Sequence, residues 1–151
     1  MVSKQSIDAF VSGKTLALVG ISPTGKGFGN SAYKELKGRG YRVLPVHPSA
    51  ESVQGDRCWH SVAELPEKVE RLLVMVSPAQ VEPVVREAVS AGVRQVWLQQ
   101  GADSPSAVEF CRANGVQVVH GHCILMFAEP VASVHRFHRW IWQIIGKAPK
   151  Q

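Results

Sequence analysis

Gly20, Gly25, Gly27 and Gly29 fall in one short stretch, with Lys26 between two of them. Glycine lets the backbone approach an anion closely. A helix that starts after such a loop adds unpaired N–H groups and the positive end of its dipole. Lysine adds a formal charge. Pyrophosphate is the ligand this chemistry favours, and a glycine-rich turn without a ligand is the other reading. The run from Gly20 to Gly27 nearly spells the phosphate loop of nucleotide hydrolases. That loop needs a serine or threonine hydroxyl for magnesium where this chain has Gly27. The apolar run ending at Val76 supplies no acidic residue for the metal either. Hydrolysis of ATP or GTP is therefore not expected.

The dinucleotide fingerprint Gly-x-Gly-x-x-Gly does not occur in register. Val46-His47-Pro48 stands where an NAD site would place an acidic residue on the ribose. A neutral or cationic tip suits a ribose that carries phosphate, as in NADP or coenzyme A. His120-Gly121-His122-Cys123 and the pair His135 and His138 hold good zinc ligands, but their spacing is not that of a standard site. They read as polar loop and solvent-facing residues, and no metal is expected. Cys123 is either a thiol activated by the nearby phosphate loop or a small buried residue, and the buried reading is preferred. Cys58 and Cys111 read as structural. General acid–base chemistry would have only His47, His120 and His122 to draw on, since no carboxylate is read at a strand tip. No catalytic residue is assigned.

The elements that must position these residues alternate along the chain. Strands are expected at Thr15–Gly20, Tyr41–Val46, Arg71–Val76, Arg94–Gln99 and Val116–Val119. Helices are expected at Ser31–Lys37, closed by Gly38-Arg39-Gly40, and at Ala79–Ser90, opened by Pro78 and stopped by Gly92. Another helix starts at Ser104 and ends at Asn114-Gly115. Ser3–Val11 reads as an opening helix, Ser61–Leu65 as one helical turn and Val131–Ile145 as a closing helix. Continuous apolar strands alternating with helices indicate an α/β fold: a doubly wound, parallel five-stranded, Rossmann-like sheet with an added C-terminal helix. In such a sheet ligands bind beyond the carboxyl ends of the strands.

The 151 residues suit one domain, with a core over about 12–127 and a C-terminal helix over about 128–146. Lys and Arg exceed Asp and Glu by 17 to 12, a net charge of +5. That mild excess suits an anionic ligand, and nothing in the sequence offers the aromatic stacking motif of a nucleic-acid module. No apolar run approaches the ~20 residues of a membrane span. The N-terminus shows no secretory signal, and three scattered cysteines without Cys-x-x-Cys fit a reducing cytoplasm. The last helix carries Phe137, Trp140, Ile141, Trp142, Ile144 and Ile145, with Arg136 and Arg139 and no acidic partner. Packing on its own sheet or in a homodimer is preferred over a membrane surface for it.

Four segments in order resemble the small CoA-binding-domain proteins, relatives of the N-terminal domain of the succinyl-CoA synthetase alpha subunit. They are Val19–Pro23, Gly40–Pro48, Gly92–Gly101 and Gly115–Cys123. The family wording is Gly-Ala-Ser-x-x-Pro, Val-x-Pro-Val-Asn-Pro, Val-Trp-Leu-Gln-x-Gly and a final Cys. The resemblance implies a Rossmann fold holding coenzyme A or an acyl-CoA across the strand tips. By position it places Ser22, Pro23 and Lys26 at the pyrophosphate loop, where the glycine pattern already puts Gly20 and Gly27 as binding residues. It places Val46, His47 and Pro48 at the adenosine end, Ser77 and Pro78 on the opposite side, and Gln99 and Gly101 under the pantetheine. His47 replaces the usual Asn, and Ser77-Pro78 follows where many relatives carry an arginine. Residues after Cys123 amount to one helix, so the phosphohistidine domain of the synthetases is not expected here. The chain is read as a binding module that senses, stores or presents its ligand.

Overall fold

Leu16-Ala17-Leu18-Val19 has no polar residue, as a strand covered on both faces requires. The computed structural model, which describes residues 3–128, places it in a parallel sheet. The elements in chain order are α1 (Lys4–Ser12), β1 (Thr15–Val19), α2 (Phe28–Gly38), β2 (Arg42–Val46), β3 (Ser52–Val53), β4 (Asp56–Arg57), β5 (Arg71–Val74), α3 (Pro78–Ser90), β6 (Gln95–Gln99), α4 (Pro105–Ala113) and β7 (Gln117–His122). The main sheet has the order β2-β1-β5-β6-β7, with all neighbours parallel. The fold is the expected Rossmann-like α/β sheet.

Alternation along each strand sorts the core into two layers. Leu16, Leu18, Leu73, Trp97 and Val119 face α1 and α2 and meet Phe10, Tyr33 and Leu36. Ala17, Leu72, Val74, Val96 and Leu98 face α3 and α4 and meet Val81, Val85, Val108 and Cys111. Trp97 is fully buried, edge-on to Phe10 at 5.4 Å between ring centres, and its indole N–H donates to the His122 carbonyl at 3.0 Å. That last bond supplies the polar partner a buried tryptophan needs.

Several boundaries differ from the sequence expectation. Helix α2 starts at Phe28 rather than Ser31, with Gly29 inside its first turn and close against the Gly20 carbonyl just after β1. Strand β5 ends at Val74, with one further backbone bond from the Met75 N–H to the Val19 carbonyl, and Val76 lies beyond the strand. Strand β7 runs on to His122, and a bulge beside Trp97 and Gln99 draws His120 and His122 into the strand rather than a loop. The β3–β4 hairpin was not expected. Its turn residues Gln54 and Gly55 both have positive φ, 50° and 83°, as a tight two-residue hairpin turn favours. The turn at Ser61–Leu65 is a 3-10 turn over Val62–Glu64.

The expected closing helix and its dimer contact lie outside the described residues. Just before them, Arg39 at the end of α2 donates to the carbonyls of Leu125 and Ala128 at 2.9 and 2.8 Å. Among the described residues no helix is long and apolar enough to cross a membrane.

Two helices start on serine side chains. Ser3 Oγ accepts from the Ser6 N–H, and the buried Ser104 Oγ accepts from the Ala107 N–H at 3.3 Å. Ser104→Ala leaves α4 without that partner, so chemical denaturation is expected to show a loss of about 1 kcal/mol.

Candidate functional site

Strand order reverses between β1 and β5, since β1 leads outward to β2 while β5 leads the other way to β6 and β7. A cleft of about 320 Å³ opens at that reversal. Its walls come from Gly20 after β1, Lys26 to Gly29 at the start of α2, Met75 to Ser77 after β5, and Gln99 to Ala102 after β6. This is the place where a doubly wound sheet binds its ligand.

Two helix starts border the cleft, and neither has a side-chain cap. Gly27 precedes α2 and has no side chain to offer. Ser77 precedes α3 but its hydroxyl makes no capping bond. First-turn amides otherwise need partners, and the dipole end favours a negative ligand. The glycines explain how α2 reaches the cleft. A Cβ on Gly29 would lie 2.2 Å from the Gly20 carbonyl oxygen, and a Cβ on Gly20 would lie 2.6 Å from the Met75 backbone. By contrast, Gly27 and Gly101, at φ 106° and 96°, face open space. Lys26 makes no ion pair among the described residues. Phe28 beside it is the large apolar side chain left exposed there, at 44%.

The sequence-predicted residues divide clearly. Gly20, Lys26, Gly27, Ser77, Gln99 and Gly101 share the cleft wall. Pro78 sits one step inside α3. Ser22 and Pro23 belong to the loop but not to the wall. Ser22 Oγ and Thr24 Oγ1 lie 2.7 Å apart, the Thr24 N–H donates to Ser22 Oγ, and the Gly25 N–H donates to the Ser22 carbonyl. These loop amides are spent inside the loop, so the free anion-binding character rests on the helix start. Val46, His47 and Pro48 stand away from the cleft at the β2 tip. His47 Nδ1 accepts from the N–H groups of Ser49 and Ala50 at 3.1 and 3.0 Å. An Asn side chain closes the same kind of turn, which explains how imidazole replaces it here.

Sequence reasoning missed Met75, Val76 and Ala102 on the wall, and did not single out Phe28 or Gln100 within the strand-tip loops. It also missed Asn30, whose buried amide bonds both to the N–H and to the carbonyl of Ser22 at 2.8 Å. The expectation of no carboxylate at a strand tip is corrected by Asp103, whose Oδ1 accepts from the Gly121 N–H at 3.2 Å. The chain reverses after β6 and brings Asp103 back beside the bulge in β7.

Gln99 ties the cleft floor to the end of β7. It is buried, and its Oε1 accepts from the Ile124 N–H at 3.0 Å. Next to it, burial pushes the Cys123 thiol up, although a hydrogen bond from Gln99 pulls it the other way. Burial also raises Cys58 and takes Cys111 to about 11. None of the three has the character of an activated nucleophile. Burial, then the nearby His120, hold the His122 imidazole below its ordinary value, with Asp103 opposing. Among the described residues no group of three or more His, Cys, Asp or Glu side chains converges on a metal position.

Comparison with known proteins adds the family. The model of the CoA binding domain family matches residues 14–129. The chain belongs to that family. Coenzyme A is thus the ligand of this CoA-binding domain. The domain is 28% identical over 137 residues to acetate–CoA ligase (ADP-forming) I of Archaeoglobus fulgidus, covering 83% of this chain and 20% of the ligase. It therefore spans about a fifth of that relative's length. A hypothetical protein from Pyrococcus horikoshii shares 31% identity at a TM-score of 0.76, over 82% of this chain and 87% of that one. A conserved hypothetical protein from Pyrococcus furiosus shares 38% identity at a TM-score of 0.69, over 74% and 96%.

Two measurements check the side-chain states. A thiol reagent is expected to find no fast-reacting cysteine in the native protein, and three after denaturation. His122 is held neutral, so its contribution to stability is present above the unfolded value of 6.5 and is lost as pH falls through the lowered folded value. Between about pH 7 and about pH 5.5 the thermal midpoint is expected to fall more for the wild type than for His122→Asn.

Proposed function

We propose that this domain holds coenzyme A or an acyl-CoA at the strand tips without turnover of its own, as a sensor, carrier or accessory module in the reducing cytoplasm. The observation that carries the reading is the pair of uncapped helix starts facing one cleft beside Lys26. Each helix end supplies about half an elementary positive charge, and Lys26 adds a full one. That sum suits the roughly two negative charges of a diphosphate diester. Gly20, Lys26, Gly27 and Ser77 then hold the diphosphate, with Pro78 presetting the first turn of α3. Ser22 and Pro23 shape the loop. Gln99 and Gly101 lie under the pantetheine, and Val46, His47 and Pro48 flank the adenosine end. Three free, buried cysteines support the reducing compartment.

An NADP- or acyl-CoA-dependent enzyme, an oxidoreductase or transferase, is the second reading. Asp103 beside His120 and His122 favours it by adding a carboxylate to the imidazoles. Asp103 already accepts the Gly121 amide, which suits a structural part better.

Calorimetry with coenzyme A, dephospho-CoA, NADP and ATP separates the two. Coenzyme A is expected to bind best, and Lys26→Ala to weaken it about tenfold. Binding of NADP alone would move the assignment to the enzyme reading. Absence of any nucleotide affinity would overturn both.

A further inference from the structure

We propose, on the coenzyme A reading above, that Asn30 is the positioning residue of the glycine loop. The β3–β4 hairpin braces it, so ligand affinity depends on contacts that never touch the ligand. Asn30 is 3% exposed and lies off the cleft wall. Its Oδ1 accepts from the Ser22 N–H and its Nδ2 donates to the Ser22 carbonyl, both at 2.8 Å. A side-chain amide offers one acceptor and a donor pair at this reach, which a carboxylate or an alkyl group lacks. The two bonds close a ring that contains Lys26, Gly27 and the first turn of α2. Rotation of the loop against the helix is thereby blocked.

The hairpin grips the same helix. Gln54 Nε2 donates to the Asn30 carbonyl at 3.1 Å. Two residues on, Asp56 accepts from the Tyr33 hydroxyl at 2.6 Å and pairs with Lys37. Asn30, Tyr33 and Lys37 fall on one stripe of α2 at helical spacing. Gln54 holds a φ of 50° without being glycine, a conformation of some cost that places its amide over the helix start. Burial and the Asp56 bond push the Tyr33 hydroxyl up, so it stays a donor.

The experiment uses the full chain, with Asn30→Asp and Gln54→Ala as variants. Asn30→Asp keeps the shape and the acceptor but sets an oxygen against the Ser22 carbonyl. Amide exchange at Ser22 without ligand is expected to quicken about tenfold in Asn30→Asp, and coenzyme A affinity to fall by about the same factor. Gln54→Ala, on an exposed turn, is expected to lose about threefold. Acidification protonates the new carboxyl and restores a donor toward Ser22, so the deficit relative to wild type narrows at low pH. A merely structural loss would not be repaired in that way. Folded variants with unchanged Ser22 exchange and affinity within about twofold of wild type overturn the proposal alone. If Asn30→Asp does not fold, an unchanged affinity in Gln54→Ala overturns it instead. No coenzyme A binding by the wild type overturns the functional reading, and this proposal with it.

Discussion

A helix that begins beside a cleft must find partners for its first amides, and two helices here begin without side-chain partners at the same place. Helices α2 and α3 lie on opposite faces of the sheet, one over each core layer. Their starts still meet, because each follows one of two neighbouring strands, β1 and β5. The other two described α-helices start on serine side chains, so among the described α-helices the lack of caps is confined to the cleft. The rest of the architecture serves that meeting point. Gly20 and Gly29 let α2 settle onto the exit of β1, with no room for a Cβ at either position.

The surroundings of the cleft are tied to buried parts of the fold. Gln99 joins its floor to the turn after β7, and Trp97 joins the neighbouring ladder position to His122. Met75 leaves β5 but its N–H still donates to the Val19 carbonyl at 2.8 Å. A preformed cleft loses little conformational freedom on binding. The exposed side chains at its mouth, Lys26 and Phe28, are the ones left to adjust.

Much of this was legible in the residues. The strands are plain because Leu16–Val19, Leu72–Val74 and Val96–Leu98 carry no charged, hydroxyl or amide side chain, a pattern that suits a sheet covered on both faces. The glycine loop announced the site because few other uses put glycines and a lysine between a strand and a helix. What escaped notice was long-range or local in an unusual way. Asn30 looks like an ordinary polar residue just ahead of the expected helix, and only the folded loop shows its amide facing Ser22. Asp103 sits in a polar turn, and its partner Gly121 comes from another strand. His47 departs from the family wording, yet its Nδ1 does the work of an amide oxygen. The Gln54-Gly55 turn was missed because the flanking strands are too short to show alternation.

One outer flank of the sheet has a further property. Pro45 lies on the edge strand β2, in register with Leu18 on the inner side. Beyond it, the Trp59 N–H donates to the Pro45 carbonyl at 3.0 Å, and the His47 N–H donates to the Trp59 carbonyl at 2.8 Å. The segment around Trp59 thus occupies the hydrogen-bonding positions at the upper part of that flank, and proline has no N–H to present. A foreign chain approaching there meets an interrupted template, so this border is protected from the runaway strand addition that leads to fibrils.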